Sequence, residues 1–266
     1  MPFGLFAPYG TARLLRRDDG ALSLGGTPSL LSGHKTVRME REVVRLVIGK
    51  DAVSVDCRFT FFNDGPAAEV RMGFPDEGQG GDRDDIEPDV AKSRPPKSRL
   101  EGFQSYVNGA PVKTTLVRDA KDVGLAWHTK QVVFPARTRV AVRDVYTTTI
   151  GGQNTAHGTL LRQASYILRT GASWKGTIGS AEVLVSFQRA RPTFPLDPHV
   201  IKRDTDKPEF MWRDWTNEPR RVYWNGFAVP TVIDGGRGLR FYRENWKPTD
   251  RSDVFLAFDD SRNASG

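Results

Sequence analysis

With one cysteine, Cys57, in 266 residues, the chain can form no intramolecular disulfide and no multi-cysteine zinc site. No apolar run comes near the roughly 18 residues that a membrane-spanning helix needs, so no transmembrane segment is expected. Nowhere do apolar residues recur at helical spacing over about ten positions, which leaves helix bundles and α/β folds without material. The four histidines, His34, His128, His157 and His199, are scattered and form no paired-ligand spacing. The net charge of +7 and pI of about 9.6 raise the question of anionic partners. Acids alternate with bases along the strands, however, as in Arg38-Met-Glu-Arg-Glu42. Without a helix-borne basic stripe, no nucleic-acid partner is expected.

What the chain does have is alternation and turns. In VSVDCRFTFF, residues 53–62, Val53, Val55, Cys57, Phe59 and Phe61 fall on one face and Ser54, Asp56, Arg58 and Thr60 on the other, the period of a half-buried strand. Cys57 on the apolar face reads as an inert core thiol. Val43–Ile48 precedes this strand across a Gly49-Lys-Asp51 turn, and Asn63-Asp-Gly-Pro66 leads into Ala68–Phe74, so three successive antiparallel strands are predicted. Asn108-Gly109 marks a hairpin between Phe103–Val107 and Val112–Val117. Further strands are predicted at Leu125–Phe134, Arg139–Thr149, Ser165–Arg169, Ala181–Phe187, Val222–Val229, Leu239–Trp246 and Asp253–Phe258. Short strands with Gly and Pro turns predict an all-β, antiparallel β-sandwich. It can be two packed halves or one extended sandwich: an extension at 1–19, a domain at 20–150, and 151–266 as a second β-rich domain or the same sandwich continued. In residues 1–19, Arg13, Arg16 and Arg17 follow the apolar part, the reverse of a secretory signal.

GASWKGTIG, residues 171–179, approaches two catalytic loops and matches neither. A nucleophile elbow needs G-x-S-x-G on a strand-to-helix turn, and here Ser173 is followed by two residues before Gly176. A phosphate cradle needs Gly-Lys-Ser/Thr opening a helix, but Thr177 follows Gly176 directly. The expected role is architectural, with glycine supplying a positive-φ turn and Trp174 folding back as an anchor.

Several stretches together resemble a known family. They are Gly20-Ala-Leu-Ser-Leu-Gly-Gly26, Glu42-Val-Val44, the strand end Phe59–Asn63, Met72-Gly-Phe-Pro75, the Val140, Val142 and Tyr146 strand, Tyr166–Trp174, and Trp246–Phe258. Over about residues 20–258 this order is similar to a bacterial family of exported β-rich domains of unknown function. The resemblance implies a β-sandwich and export, to the periplasm or the cell exterior; it supplies no catalytic residues.

Two stretches offer candidate sites. Asp76–Asp89 carries seven acids in fourteen positions. Of these, Asp82, Asp84, Asp85, Glu87 and Asp89 offer the clustered oxygens that calcium takes. The spacing is not that of an EF-hand, and a solvated acidic loop without a cofactor is the expectation. Trp212, Trp215 and Trp224 lie near Arg220 and Arg221, a combination suited to stacking on a sugar or polymer. The sequence therefore reads as a non-enzymatic binding or scaffold module of the cell envelope, with an envelope polysaccharide or protein as partner. The alternative is a polymer- or carbohydrate-acting hydrolase using carboxylates of 76–89 and tryptophans of 212–224; no catalytic residue is assigned.

Overall fold

The alternating strand around Cys57 becomes the middle of a broad sheet. The computed structural model describes residues 22–32, 36–79, 96–120, 122, 125–154, 160–188 and 222–259. These residues form β1 (Leu22–Gly25), β2 (Ser29–Ser32), β3 (Val37–Ile48), β4 (Ala52–Asn63), β5 (Ala68–Gln79), β6 (Glu101–Val107), β7 (Ala110–Val112), β8 (Thr115–Arg118), β9 (Leu125–Phe134) and β10 (Arg139–Thr149). There follow β11 (Gly151–Asn154), β12 (Leu160–Tyr166), β13 (Ile178–Phe187), β14 (Val222–Asn225), β15 (Thr231–Ile233), β16 (Gly238–Trp246) and β17 (Val254–Asp259). The fold is all-β.

Three sheets result. The platform has eight strands in the order β15-β16-β13-β3-β4-β10-β6-β7. A five-stranded sheet, β1-β5-β9-β8 with β2 also on β5, covers one part of it, and a four-stranded sheet, β11-β12-β17-β14, covers another. Register places Phe61, Tyr146, Phe187 and Phe241 on the same face of the platform. Phe61 meets Phe134 of the five-stranded sheet at 5.8 Å and Tyr146 meets Phe74 at 5.4 Å. Phe187 meets Phe258 of the four-stranded sheet at 5.4 Å, and Phe241 meets Trp224 at 5.7 Å. Both smaller sheets thus pack on one face of the platform and share a continuous apolar core with it. The platform draws strands from either side of Gly151-Gly152, a pair that itself opens β11.

Several predicted elements change. The platform is mixed, because β13 runs parallel to β3, with Val183 opposite Val44. The three-strand run breaks after β4, since β5 pairs with β9 in the other sheet. Asn63 drives that exit: its Nδ2 donates to the carbonyls of Pro66, Phe134 and Pro135, while its Oδ1 accepts from Thr36 Oγ1 and the Gly65 amide. The Val112–Val117 strand is two, β7 on the platform and β8 on the covering sheet. Strand Ser165–Arg169 ends at Tyr166, and Arg169–Ser173 is a 3-10 turn. Asp253 Oδ1 takes the Leu168 and Arg169 amides at 2.7 and 2.9 Å, donors that a strand would have given to a neighbour. The hairpin at Asn108-Gly109 is present, with φ of 49° and 84°.

The GASWKGTIG segment is architecture. Trp174 is 3% exposed. Its ring lies 4.5 Å from Phe61 and its Nε1 donates to the Pro28 carbonyl at 2.6 Å. Gly176 adopts φ of +67°, the conformation that glycine alone takes at no cost. Ser173 Oγ accepts the Leu30 amide and donates to the Thr170 carbonyl, tying β2 to the turn.

Candidate functional site

On β9, core parity belongs to Phe134, Val132, Lys130 and His128, which lie opposite Ala68, Val70, Met72 and Phe74 of β5. Two of these four are polar. On β10 the same parity holds Val140, Val142, Asp144 and Tyr146, and on β3 it holds Glu42, Val44, Leu46 and Ile48. Asp76 extends the β5 row. Alternation therefore delivers one histidine, one lysine and three carboxylates into the sandwich interior, all buried. Buried polar groups must find partners there.

Near the end of β5 two of these groups, Asp76 and His128, meet Ser98. Asp76 Oδ2 accepts Ser98 Oγ at 2.9 Å and lies 3.1 Å from His128 Nε2, and the Arg99 amide donates to the same carboxylate. Ser98 Oγ is also 3.1 Å from His128 Nε2, and it interacts with the Leu100 carbonyl and amide. Phe103 stacks on the His128 ring at 4.0 Å. Serine, histidine and aspartate thus meet, but not as a nucleophile relay. A relay places the base between the other two, one ring nitrogen for each. Here the serine and the aspartate share one ring nitrogen and touch each other directly. The cluster fixes the returning chain at 98–100 against the ends of β5 and β9.

Beside it, Arg169 bridges two carboxylates, Nη2 to Glu77 and Nη1 to Asp253. Burial works against the guanidinium charge, but the two acids hold its proton affinity above the ordinary value. Asp76 and Glu77, the two members of the acid-rich stretch within the described residues, are therefore both committed to structural partners.

Deeper in the core, Glu42 accepts Thr27 Oγ1 at 2.5 Å and Tyr166 OH at 3.1 Å, both on Oε1. Burial raises its carboxyl to about 7, against the lowering effect of those two donors. Burial also pushes the thiol of Cys57 well up, the state of an unreactive core cysteine.

Of the sequence-predicted site residues, Asp82, Asp84, Asp85, Glu87, Asp89, Trp212, Trp215, Arg220 and Arg221 lie outside the described residues. Trp224 is buried at the edge of the four-stranded sheet, edge-on to Phe241. Among the described residues no group of three or more His, Cys, Asp or Glu is placed to hold a metal ion, and no helix is long and apolar enough to cross a membrane. The polar interior was overlooked in the sequence, although strand parity carried the signal: His128 and Lys130 alternate in step with Val132 and Phe134.

The sheets define an all-β sandwich with a mixed platform. Within that class the chain is similar to a Legionella pneumophila protein described provisionally as a nutrient binding protein. The TM-score is 0.63 at 18% identity, covering 90% of this chain and 73% of that one. Yeast LTA4 hydrolase aligns with a TM-score of 0.45 at 11% identity over 86% of this chain and 30% of that one. An M1 zinc metallopeptidase from Deinococcus radiodurans gives 0.37 at 13% identity over 84% and 43%. The first likeness concerns the fold alone, and the other two are too distant to bear on function. No protein-family profile and no curated protein sequence matches the chain.

Proposed function

We propose that this protein is a non-enzymatic β-sandwich binding module that works at the cell envelope, in the periplasm or outside the cell. One observation carries the reading. The described polar groups best suited to acid–base or nucleophilic work, Asp76, Ser98 and His128, satisfy one another as an anchor for the chain at 98–100. A fold shared with a protein described as nutrient-binding supports the binding half of the proposal, and the resemblance to an exported bacterial family supports the location.

The binding surface we assign is the segment leading into β14, with Trp212 and Trp215 stacking on an envelope polysaccharide and Arg220 and Arg221 contacting its polar groups. Trp224, within β14, is buried and is left out of that surface. Titration calorimetry against a panel of envelope polysaccharides tests the assignment. Binding that disappears in the Trp212→Ala/Trp215→Ala variant, at unchanged melting temperature, is the expected result. Binding that survives the double change, or turnover of a panel member by the wild type, overturns it. The acidic stretch 82–89 is assigned no ion.

A further inference from the structure

Lys130 and Asp144 form an ion pair inside the sandwich, each side chain 0% exposed. They belong to different sheets, Lys130 to β9 of the five-stranded cover and Asp144 to β10 of the platform. Lys130 Nζ lies 2.6 Å from Asp144 Oδ1 and 2.5 Å from Ser105 Oγ. Ser105 is the register partner of Asp144 on β6, so hydroxyl and carboxylate stand side by side on one face. The other carboxylate oxygen, Oδ2, is buried with no hydrogen-bond partner. An amine, a carboxyl group and a hydroxyl from three strands therefore converge in the buried interior.

That arrangement is unfavourable for an ion pair. Two charges have lost their hydration for a single charge–charge contact, and one acceptor is left unmet. It is favourable for condensation. Nucleophile and electrophile are held in hydrogen-bonding contact, with a hydroxyl on the same nitrogen. Fixed contact also gives intramolecular reactions effective molarities of about 10⁵–10⁸ M.

We propose that Lys130 and Asp144 form an intramolecular isopeptide bond that ties the covering sheet to the platform. One ammonium proton crosses the 2.6 Å hydrogen bond to the carboxylate. The neutral Nζ then attacks Cγ. Ser105 Oγ, on the same nitrogen, accepts a second proton and passes it to the departing oxygen. The Nζ–Cγ bond forms, one Cγ–O bond breaks, and two of the three ammonium protons leave with that oxygen as water. No oxidant or further reactant is needed. The product removes both buried charges and one carboxylate oxygen, and its amide N–H faces Ser105. In a chain with a single, buried cysteine, it is the covalent brace that a disulfide cannot provide.

Intact mass spectrometry of the denatured full-length protein tests this directly. The expected mass is one water below the sequence value, with protease digestion yielding a branched peptide that joins the segments holding Lys130 and Asp144. Lys130→Arg and Asp144→Ala should each restore the mass expected for the substituted sequence, a readout that survives even if a variant folds poorly. A wild-type mass equal to the sequence value overturns the proposal. So does a loss of water that maps elsewhere or persists in either variant.

Discussion

The core under the five-stranded sheet has two unlike ends. At one, Phe61, Phe134 and Trp174 fill the space with rings 4.5 to 6.4 Å apart, and the single polar atom of Trp174 is met by the Pro28 carbonyl. At the other, Asp76, His128, Lys130, Ser105 and Asp144 occupy positions of the same strand parity and, with Ser98 from the chain leading into β6, hold the sheets together by hydrogen bonds and charge. The same two strands, β5 and β9, run through both ends. Parity says which residues face inward; it does not say how the interior is stabilised. At the apolar end any well-fitting hydrophobic set would serve, whereas at the polar end each group depends on a named partner.

The comparison breaks most visibly at the apolar end. Trp174→Ala should destabilise by about 3–5 kcal/mol, the range for deleting a buried aromatic; a thermal melt within a degree of wild type would show that Trp174 anchors nothing. Next comes Glu42, whose carboxyl rises from 4.5 to about 7 on folding because burial disfavours its charge. Its folded pKa lies above the unfolded one, so its contribution is fully present below about pH 4.5 and is lost as pH rises through about 7. At about 1.4 kcal/mol per unit the loss amounts to about 3 kcal/mol. Glu42→Gln keeps an acceptor for Thr27 and Tyr166 and carries no charge. The stability difference between this variant and wild type should therefore grow in the variant's favour from pH 5 to pH 8; a difference that stays constant with pH would remove the buried charge from the account.

Smaller effects follow at the site itself. Ser98→Ala removes one hydroxyl from the Asp76 anchor and should cost about 1 kcal/mol in denaturant unfolding, with loosened hydrogen exchange at the Arg99 and Leu100 amides; unchanged protection there would deny the anchoring role. Least of all is expected from calcium. Millimolar calcium should shift the melting temperature no more than magnesium at equal ionic strength. A calcium-specific rise of several degrees, lost when Asp82, Asp84 and Asp85 become asparagine, would make the acidic stretch an ion site.

Much of the architecture was legible in the residues. β9 and β10 fall at the positions that alternation assigns, Leu125–Phe134 and Arg139–Thr149, and Asn108-Gly109 turns as its composition demands. The short strands β1, β2, β11 and β15 were missed because three or four residues give too little alternation to register. The parallel β13–β3 pair was hidden for another reason, since local pattern does not report which distant strand is a neighbour. The exit of β5 from the platform depends on one side chain, Asn63, bonding to carbonyls some seventy positions away in sequence. The polar interior was legible and unread: Glu42, Lys130 and Asp144 sit in step with apolar neighbours, and that conflict is itself the signal. The GASWKGTIG loop shows the reverse, a near-motif whose Trp174 packs in the core and whose Gly176 makes the turn, as its spacing and composition suggested.

The Asp76–Ser98–His128 cluster ties the chain at 98–100 to β5 and β9, and the proposed binding role requires that it catalyse nothing. Its most direct test combines turnover against a broad hydrolase panel with melting temperature, for the wild type and for Ser98→Ala and His128→Gln. No turnover in any of the three and a lowered melting temperature in both variants are expected. Hydrolysis by the wild type that either substitution abolishes, with the melting temperature unmoved, would contradict it.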